Sequence, residues 1–535
     1  MTSFRRKGST PIPLVSLSVA FSLLGALCIL LTITMIPSIV ISIVDRYHPD
    51  RLGMIYSALL SFTIGITLVL RFRHRLKDIE LTHKDGLFIV TLSWICCGLI
   101  GALPYYLFAH SSPNISCVEG VGIGVEFCSF TRSFFESMSG FTTTGASIIE
   151  RGLWVEYKDG VGYLADHSLG LPRGILLWRS MTHFLGGMGI VVLSVAVLPL
   201  LGIGGMQLFK AEVPGPQADK IGPRVGQTAL FLWVLYIGLT ICCIGFYWGF
   251  SSLDLYESIC HSMSTMATGG FSTRSLSIAG LSDPIMEWIS ILFMCIAGIS
   301  FNVHYMAIVE RKLFTYFKNI ETLSYLSVTI VAVCLTSYAI SKAGYADGIE
   351  ESLRTASFQV VSLLTTTGYA SADFELWVTA PLAIFALLLT FIIGGCSGST
   401  GGGVKVVRHL ILFKLWIREF FFIIHPTAKR SIRIDQRVVS PDVLRATVGF
   451  VTLYFFTMML GCLLFLIDGQ TLTTALTCSA SSLGNIGPGF GDIGPYDNYA
   501  TLSMFGQWVS IILMLLGRLE LYTVLALFTT TFWKP

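Results

Sequence analysis

The chain has 535 residues, 53% of them hydrophobic and only 13% charged, with a formal net charge of +3. Water-soluble domains carry roughly 25% charged residues, which excludes an ordinary soluble fold. So small a net charge carries no signature of a nucleic-acid partner, and the mean hydropathy of +0.73 points to a chain that lives in lipid.

The first apolar run, Leu14–Val44, exceeds the roughly 20 residues a spanning helix needs. It is too long for a signal-peptide core of about 7–15 residues, and no small-residue cleavage site follows it. It reads as a retained helix, so residues 1–85 form a two-helix N-terminal extension. Further runs recur at Phe88–Ala109, Ile175–Leu201, Ala229–Phe250 and Met504–Phe528. Most of the 35 Lys and Arg fall in Arg5–Lys7, Arg71–Lys84, Lys210–Arg224, Arg311–Lys318 and Lys405–Arg445. With alternating spans, these segments share one side, and the positive-inside rule makes that side, with the N-terminus, cytoplasmic.

All but two of the 13 Cys lie in or beside apolar segments, as small buried residues do. Cys117 and Cys128 instead share the polar loop CVEGVGIGVEFC, which this topology places outside, where disulfides persist. The residues leave open whether the two are bridged.

Four short stretches then interrupt the apolar pattern in the same way. They are SFFESMSGFTTTGAS (Ser133–Ser147), ICHSMSTMATGGFST (Ile259–Thr273), FQVVSLLTTTGYASADF (Phe358–Phe374) and LTCSASSLGNIGPGFGDIG (Leu476–Gly494). Each starts as an amphipathic segment too short to span, passes into Thr/Gly-rich chain, and lies between two long apolar runs. Aligned on the glycine they read Thr143-Thr144-Gly145, Thr268-Gly269-Gly270, Thr366-Thr367-Gly368 and Asn485-Ile486-Gly487, the fourth being the most divergent. Glycine in a membrane helix often only permits close packing, but that does not account for four matched copies.

Non-helical backbone at membrane depth is tolerated where it lines a water-filled cavity. Extended segments about an axis can present carbonyl oxygens in place of an ion's hydration shell, and glycine reaches the backbone angles this needs. The preceding half-helix would direct its partly negative C-terminal end at the axis, favouring a cation. The expected fold is therefore all-α and polytopic, with four span–half-helix–filter loop–span repeats around a pseudo-fourfold pore. The repeats run over residues 86–225, 226–320, 321–440 and 441–535 and, with the extension, give about ten transmembrane helices.

In the third repeat the run Pro381–Ile393 is broken by Gly394, Gly395, Cys396, Ser397, Gly398, Ser399, Thr400, Gly401, Gly402 and Gly403. A phosphate-binding loop would require GK[ST] after a strand. Here Lys405 stands between two valines, and no strand precedes it. Two readings remain: a packing hinge, or a loop that obstructs the pore on the cytoplasmic side. Arg518 lies within the last apolar run, close to Glu520, and a charge at that depth faces a partner or a cavity rather than lipid. It pairs with Glu520 or Glu310, or it projects into the pore as a barrier to cations.

Together the four Thr/Gly loops, GGCSGSTGGGVKVVR and LGRLELYTVLALFTTTFW closely resemble the TrkH subfamily of the Trk/Ktr/HKT cation transporters, over essentially the whole chain. The resemblance implies a bacterial inner-membrane potassium uptake protein, a homodimer with one pore per protomer. It also implies a cytosolic regulatory ring, TrkA, which would bind NAD or ATP in place of this chain; potassium is then the transported ligand. Carried over by position, the filter glycines are Gly145, Gly270, Gly368 and Gly487, the gate loop is Gly394–Gly403 and the pore-facing arginine is Arg518. The alternative is a potassium symporter coupled to sodium or protons. Glu136 and Glu257 stand in or beside the first two half-helices, where they read first as structural partners. An enzyme is disfavoured, since His183 and His261 are isolated and neither HExxH nor GxSxG occurs.

Overall fold

The computed structural model describes residues 17–44, 50–72, 83–149 apart from 114, 121 and 123, 155–158, 161–164, 171–189, 225–435 and 437–534. The basic segments Arg5–Lys7 and Lys210–Arg224, and the part of the Ile175–Leu201 run beyond Gly189, lie outside the described residues.

Two long helices, α1 (Leu17–Val44) and α2 (Arg51–Phe72), precede the repeats. Many of their large apolar side chains, among them Ile33, Ile36, Leu59 and Phe62, point outward, while Ser57 and Ser61 are buried. That inversion of the soluble pattern is what a lipid environment selects, because the tails are as apolar as leucine and small residues let helices approach.

Each repeat then opens with a span and re-enters with a half-helix. The first repeat has α3 (His83–Ser111), α4 (Phe130–Phe141) and α5 (Arg173–Met188). The second has α6 (Val225–Phe250), α7 (Leu255–Met266), α8 (Pro284–Ala297) and α9 (Phe301–Ile308). The third has α10 (Ile320–Ala343), α11 (Ile349–Leu364), α12 (Pro381–Thr390) and α13 (Val406–Ile424). The fourth has α14 (Pro441–Ile467), α15 (Leu472–Gly484), α16 (Met504–Arg518) and α17 (Tyr522–Leu525). The half-helices α4, α7, α11 and α15 have only 12, 12, 16 and 13 residues, which is why none can span. Side-chain caps set two of their starts: Asp254 accepts from Glu257 N at 2.6 Å, and Thr471 accepts from Thr474 N at 3.3 Å.

Among the described residues six helices are long and apolar enough to cross a membrane, and two bent pairs bring the number to eight. The expected ten exceed these eight: α5 has 16 residues and the described chain stops at Gly189, while α12 and α13 are parted by the glycine-rich loop. Two small hairpins are added to the helical fold: β1 (Val155–Lys158) with β2 (Val161–Leu164), and β3 (Arg433–Ile434) with β4 (Arg437–Val438).

Breaks in the second span are more general than the sequence suggests. The third repeat is not alone: α8 and α9 meet at 96°, and α16 bends by 105° into the segment Tyr522–Phe528. The sequence reads Met504–Phe528 as one span with Arg518 near its middle. The structure corrects this, because Glu520 and Leu521 adopt left-handed angles (φ 54° and 49°) that a continuing α-helix cannot accommodate. Arg518 is therefore the last residue of a helix, not the middle of one.

The question left open for Cys117 and Cys128 is answered by a disulfide, with the Cα atoms 5.6 Å apart.

Candidate functional site

The four half-helices end in one shared backbone turn. Thr143, Thr268, Thr366 and Asn485 take φ of 52°, 52°, 59° and 55°, and two residues later Gly145, Gly270, Gly368 and Gly487 take 78°, 85°, 78° and 104°. Between them Thr144 N, Gly269 N, Thr367 N and Ile486 N bond back to Ser139 O, Ser264 O, Ser362 O and Ser481 O at 2.8–3.0 Å. This is the helix-ending geometry in which glycine normally takes the left-handed place. A β-branched threonine held there is strained by roughly 1–3 kcal/mol, and such strain concentrates at functional sites. Asn485, at the divergent copy, sits in the same conformation with less strain, because asparagine tolerates it.

The turns close on one another. A Cβ added to Gly145 would overlap Gly269 O; one on Gly270 would overlap Thr367 O; one on Gly368 would overlap Ile486 O. A Cβ on Gly487 would stand 2.6 Å from Thr144 O, which completes the circuit from the fourth repeat back to the first. Each glycine is thus bare because the carbonyl of the next repeat occupies the space. Above the ring opens a cavity lined by all four glycines with Ser272, Asp497 and Tyr499.

Side chains brace the ring from outside. Buried Glu136 accepts from Arg179 Nε at 2.6 Å and from Ile148 N at 3.0 Å, while the same guanidinium donates to Ser272 O at 3.0 Å and lies over the Phe271 ring. Glu257 pairs with Arg274 at 2.8 Å. His183 stacks on Phe271 and approaches Ser264 Oγ at 3.2 Å, backing the second turn, and His261 Nε2 lies 3.0 Å from Ser272 Oγ. In the fourth repeat Asn485 Nδ2 donates to Thr144 Oγ1 and to Met514 O, both at 3.0 Å.

Below the turns lies Gly394–Gly403. Its two ends meet in a parallel bridge between Ile393 and Val404, and Gly394 N donates to Val404 O at 2.9 Å. Thr400 Oγ1 donates to Met266 O at 3.1 Å, and Gly402 N donates to Thr366 Oγ1 at 2.6 Å. A Cβ on Gly402 would overlap Gly484 O, so the loop touches the ends of three half-helices. The polar backbone is satisfied by protein: Cys396 N donates to Gly298 O and Phe301 N to Gly398 O, both at 2.9 Å, within the bend between α8 and α9.

Arg518 reaches this loop. Its guanidinium donates to Thr400 O at 2.9 Å, Gly186 O at 2.5 Å and Gly187 O at 3.1 Å, tying the loop to α5. The expected ion pairs of Arg518 with Glu520 or Glu310 are replaced by others. Arg408 holds Glu520 and stacks over Phe450, and Lys312 holds Glu310 at 2.7 Å. The bend after Arg518 carries Glu520 away to α13, which a straight helix would not do. Nothing in the sequence signals Arg179 or Glu321, whose partners Glu136, Ser272, Ser397 and Val407 lie 43 to 93 residues away. Lys405, which the sequence raises only as part of a phosphate-binding loop, donates instead to Gly401 O within the glycine-rich segment.

The class of protein is defined at this point: a multi-pass helical membrane protein whose four re-entrant half-helices close one ring of glycine turns above a glycine-rich loop. The TrkH family pattern, described as a cation transport protein, matches residues 57–534. The Trk system potassium uptake protein TrkH of Salmonella typhimurium is 36% identical over 514 residues, covering 96% of this chain and 98% of the relative. That of Halomonas elongata is 35% identical over 525 residues, covering 97% and 100%. The crystal structure of the potassium transporter TrkH from Vibrio parahaemolyticus superposes with a TM-score of 0.80 at 30% identity, covering 97% of this chain and 100% of that one. The chain belongs to the TrkH family of cation transport proteins, which are transporters and not enzymes.

Proposed function

We propose that this protein takes up potassium through a gated pore along the axis of the four turns, with the glycines and the carbonyls before them as the selectivity filter. The observation that carries the reading is the cyclic contact of each glycine with the next repeat's carbonyl, since four carbonyls in one ring are what a dehydrated cation requires. The half-helix C-termini add partial negative charge on the same side. The repeats at 86–225, 226–320, 321–440 and 441–535 are the pore units. Gly394–Gly403, latched by Arg518, obstructs the path beneath them. Glu136 and Glu257 are each engaged by an arginine, which favours conduction down the membrane potential over symport with a second ion. The names of the relatives support potassium as the ion and a multi-subunit system as its setting. In that setting the chain is a homodimer in a bacterial inner membrane with its N-terminus cytoplasmic, and a TrkA-type ring carries the NAD or ATP. Liposomes holding the purified protein should take up potassium and rubidium far faster than sodium, with a reversal potential that ignores sodium and pH. A reversal potential that moves with either gradient overturns the uniport reading.

A further inference from the structure

Beside the glycine-rich loop lies a buried carboxylate that the ion path does not use. Glu321, in the first turn of α10, is 2% exposed, and its Oε1 accepts from Ser397 N at 2.6 Å and from Val407 N at 3.3 Å. Ser397 belongs to the first half of the loop, and Val407 to the first turn of α13 just beyond its end. One oxygen therefore staples both flanks of the segment. An acceptor suits the place, since Val407 N in the first turn of α13 has no intrahelical acceptor. Lys405 adds a bond across the loop to Gly401 O.

The staple is connected to the surface. Asp435, on the exposed turn between β3 and β4, accepts from Ile320 N at 3.0 Å, one residue before Glu321. Ile434 of the same hairpin packs with Val407 and Ile411 of α13, and Lys414 Nζ donates to Arg433 O at 2.6 Å. A contiguous series of contacts thus runs from the hairpin, through the start of α10, to the loop, and a displacement at one end has a packed route to the other.

We propose that Glu321 is the positioning residue that holds Gly394–Gly403 in its obstructing conformation, and that the β3–β4 hairpin braces it from the surface. The inference rests on reading the loop as the gate.

Cys396 supplies a reporter, because it lies inside the loop and is fully buried, as are Cys260 in α7 and Cys478 in α15 to within 1%. The full-length protein in liposomes is treated with a small permeant thiol reagent, modification is quantified for each cysteine by mass spectrometry, and rubidium flux is recorded in parallel. Glu321→Ala removes two bonds to a charged acceptor and should raise the Cys396 rate at least about tenfold. Flux should increase with it, while Cys260 and Cys478 stay protected. Glu321→Gln keeps an acceptor oxygen but loses the charge, and should raise the Cys396 rate less than Glu321→Ala does. Asp435→Ala, on the surface, should fall between the native protein and Glu321→Ala. A native Cys396 rate in Glu321→Ala overturns the proposal, as does labelling of Cys260 and Cys478 alongside it, which would mark general loosening. A native rate in Asp435→Ala removes the hairpin from the chain of contacts. Cys396 exposure with unchanged flux upholds the anchor and overturns the gate reading beneath it.

Discussion

Replacing Gly145 with serine tests the ring directly. The new Cβ would fall on Gly269 O, with Gly269 C at 3.2 Å and Gly270 Cα at 3.4 Å. The carbonyl cannot simply step back, because Gly269 N is bonded to Ser264 O at 2.9 Å and the His183 ring lies against Gly269. Restoring an ordinary contact requires a shift of roughly 1 Å, enough to take one oxygen out of a shared coordination shell. A lost contact to a charged group is worth about 1.5–3 kcal/mol. If it is lost for potassium but not for sodium, the potassium-to-sodium ratio should fall by about ten- to a hundredfold. Left-handed backbone strain, about 1–2 kcal/mol for a residue with a Cβ, will also lower stability. Gly469→Ser is the matched control: it has φ of 89° and open space within 4 Å, far from the ring in sequence and contacts. Bi-ionic reversal potentials in planar bilayers give the ratio, and thermal melts give the stability. Both variants should melt earlier, and only Gly145→Ser should lose selectivity. Gly270→Ser, Gly368→Ser and Gly487→Ser should follow Gly145→Ser. Folded variants at all four positions with native ratios would refute the filter assignment.

Arg518→Ala deletes three bonds from a charged donor to Thr400 O, Gly186 O and Gly187 O, each worth about 1.5–3 kcal/mol. It should raise single-channel open probability severalfold without altering selectivity; lower conductance in a folded variant would place the gate elsewhere. Cys117 and Cys128 should resist alkylation until a reductant is added, and reduction should lower the melting temperature, since closing a loop of this size stabilises by up to about 3 kcal/mol. Ready labelling of both without reductant would exclude the bridge.

Lipid solvation is a strong and local constraint, so the residues that answer to it are legible one segment at a time. The long apolar runs, the four short Thr/Gly interruptions and the glycine-rich break all follow from what a backbone can tolerate in a bilayer. Composition and spacing alone therefore determined a helical membrane protein with four matched re-entrant units. The left-handed turn at Asn485 shows how far this goes, because the divergent fourth copy keeps the conformation that its residue types allow. What the sequence could not decide was anything set by contacts between distant segments. That Gly487 closes on Thr144, that Glu520 belongs to Arg408, and that Arg518 latches Thr400 to α5 depend on how the four repeats are arranged about the axis. The bends after Ala297 and Arg518 were hidden for the same reason. Neither carries a glycine-rich signature like that of the third repeat, and each is stabilised by neighbours that only the assembled fold brings into reach. Local solvation writes itself into residue order, whereas pairing across hundreds of residues does not.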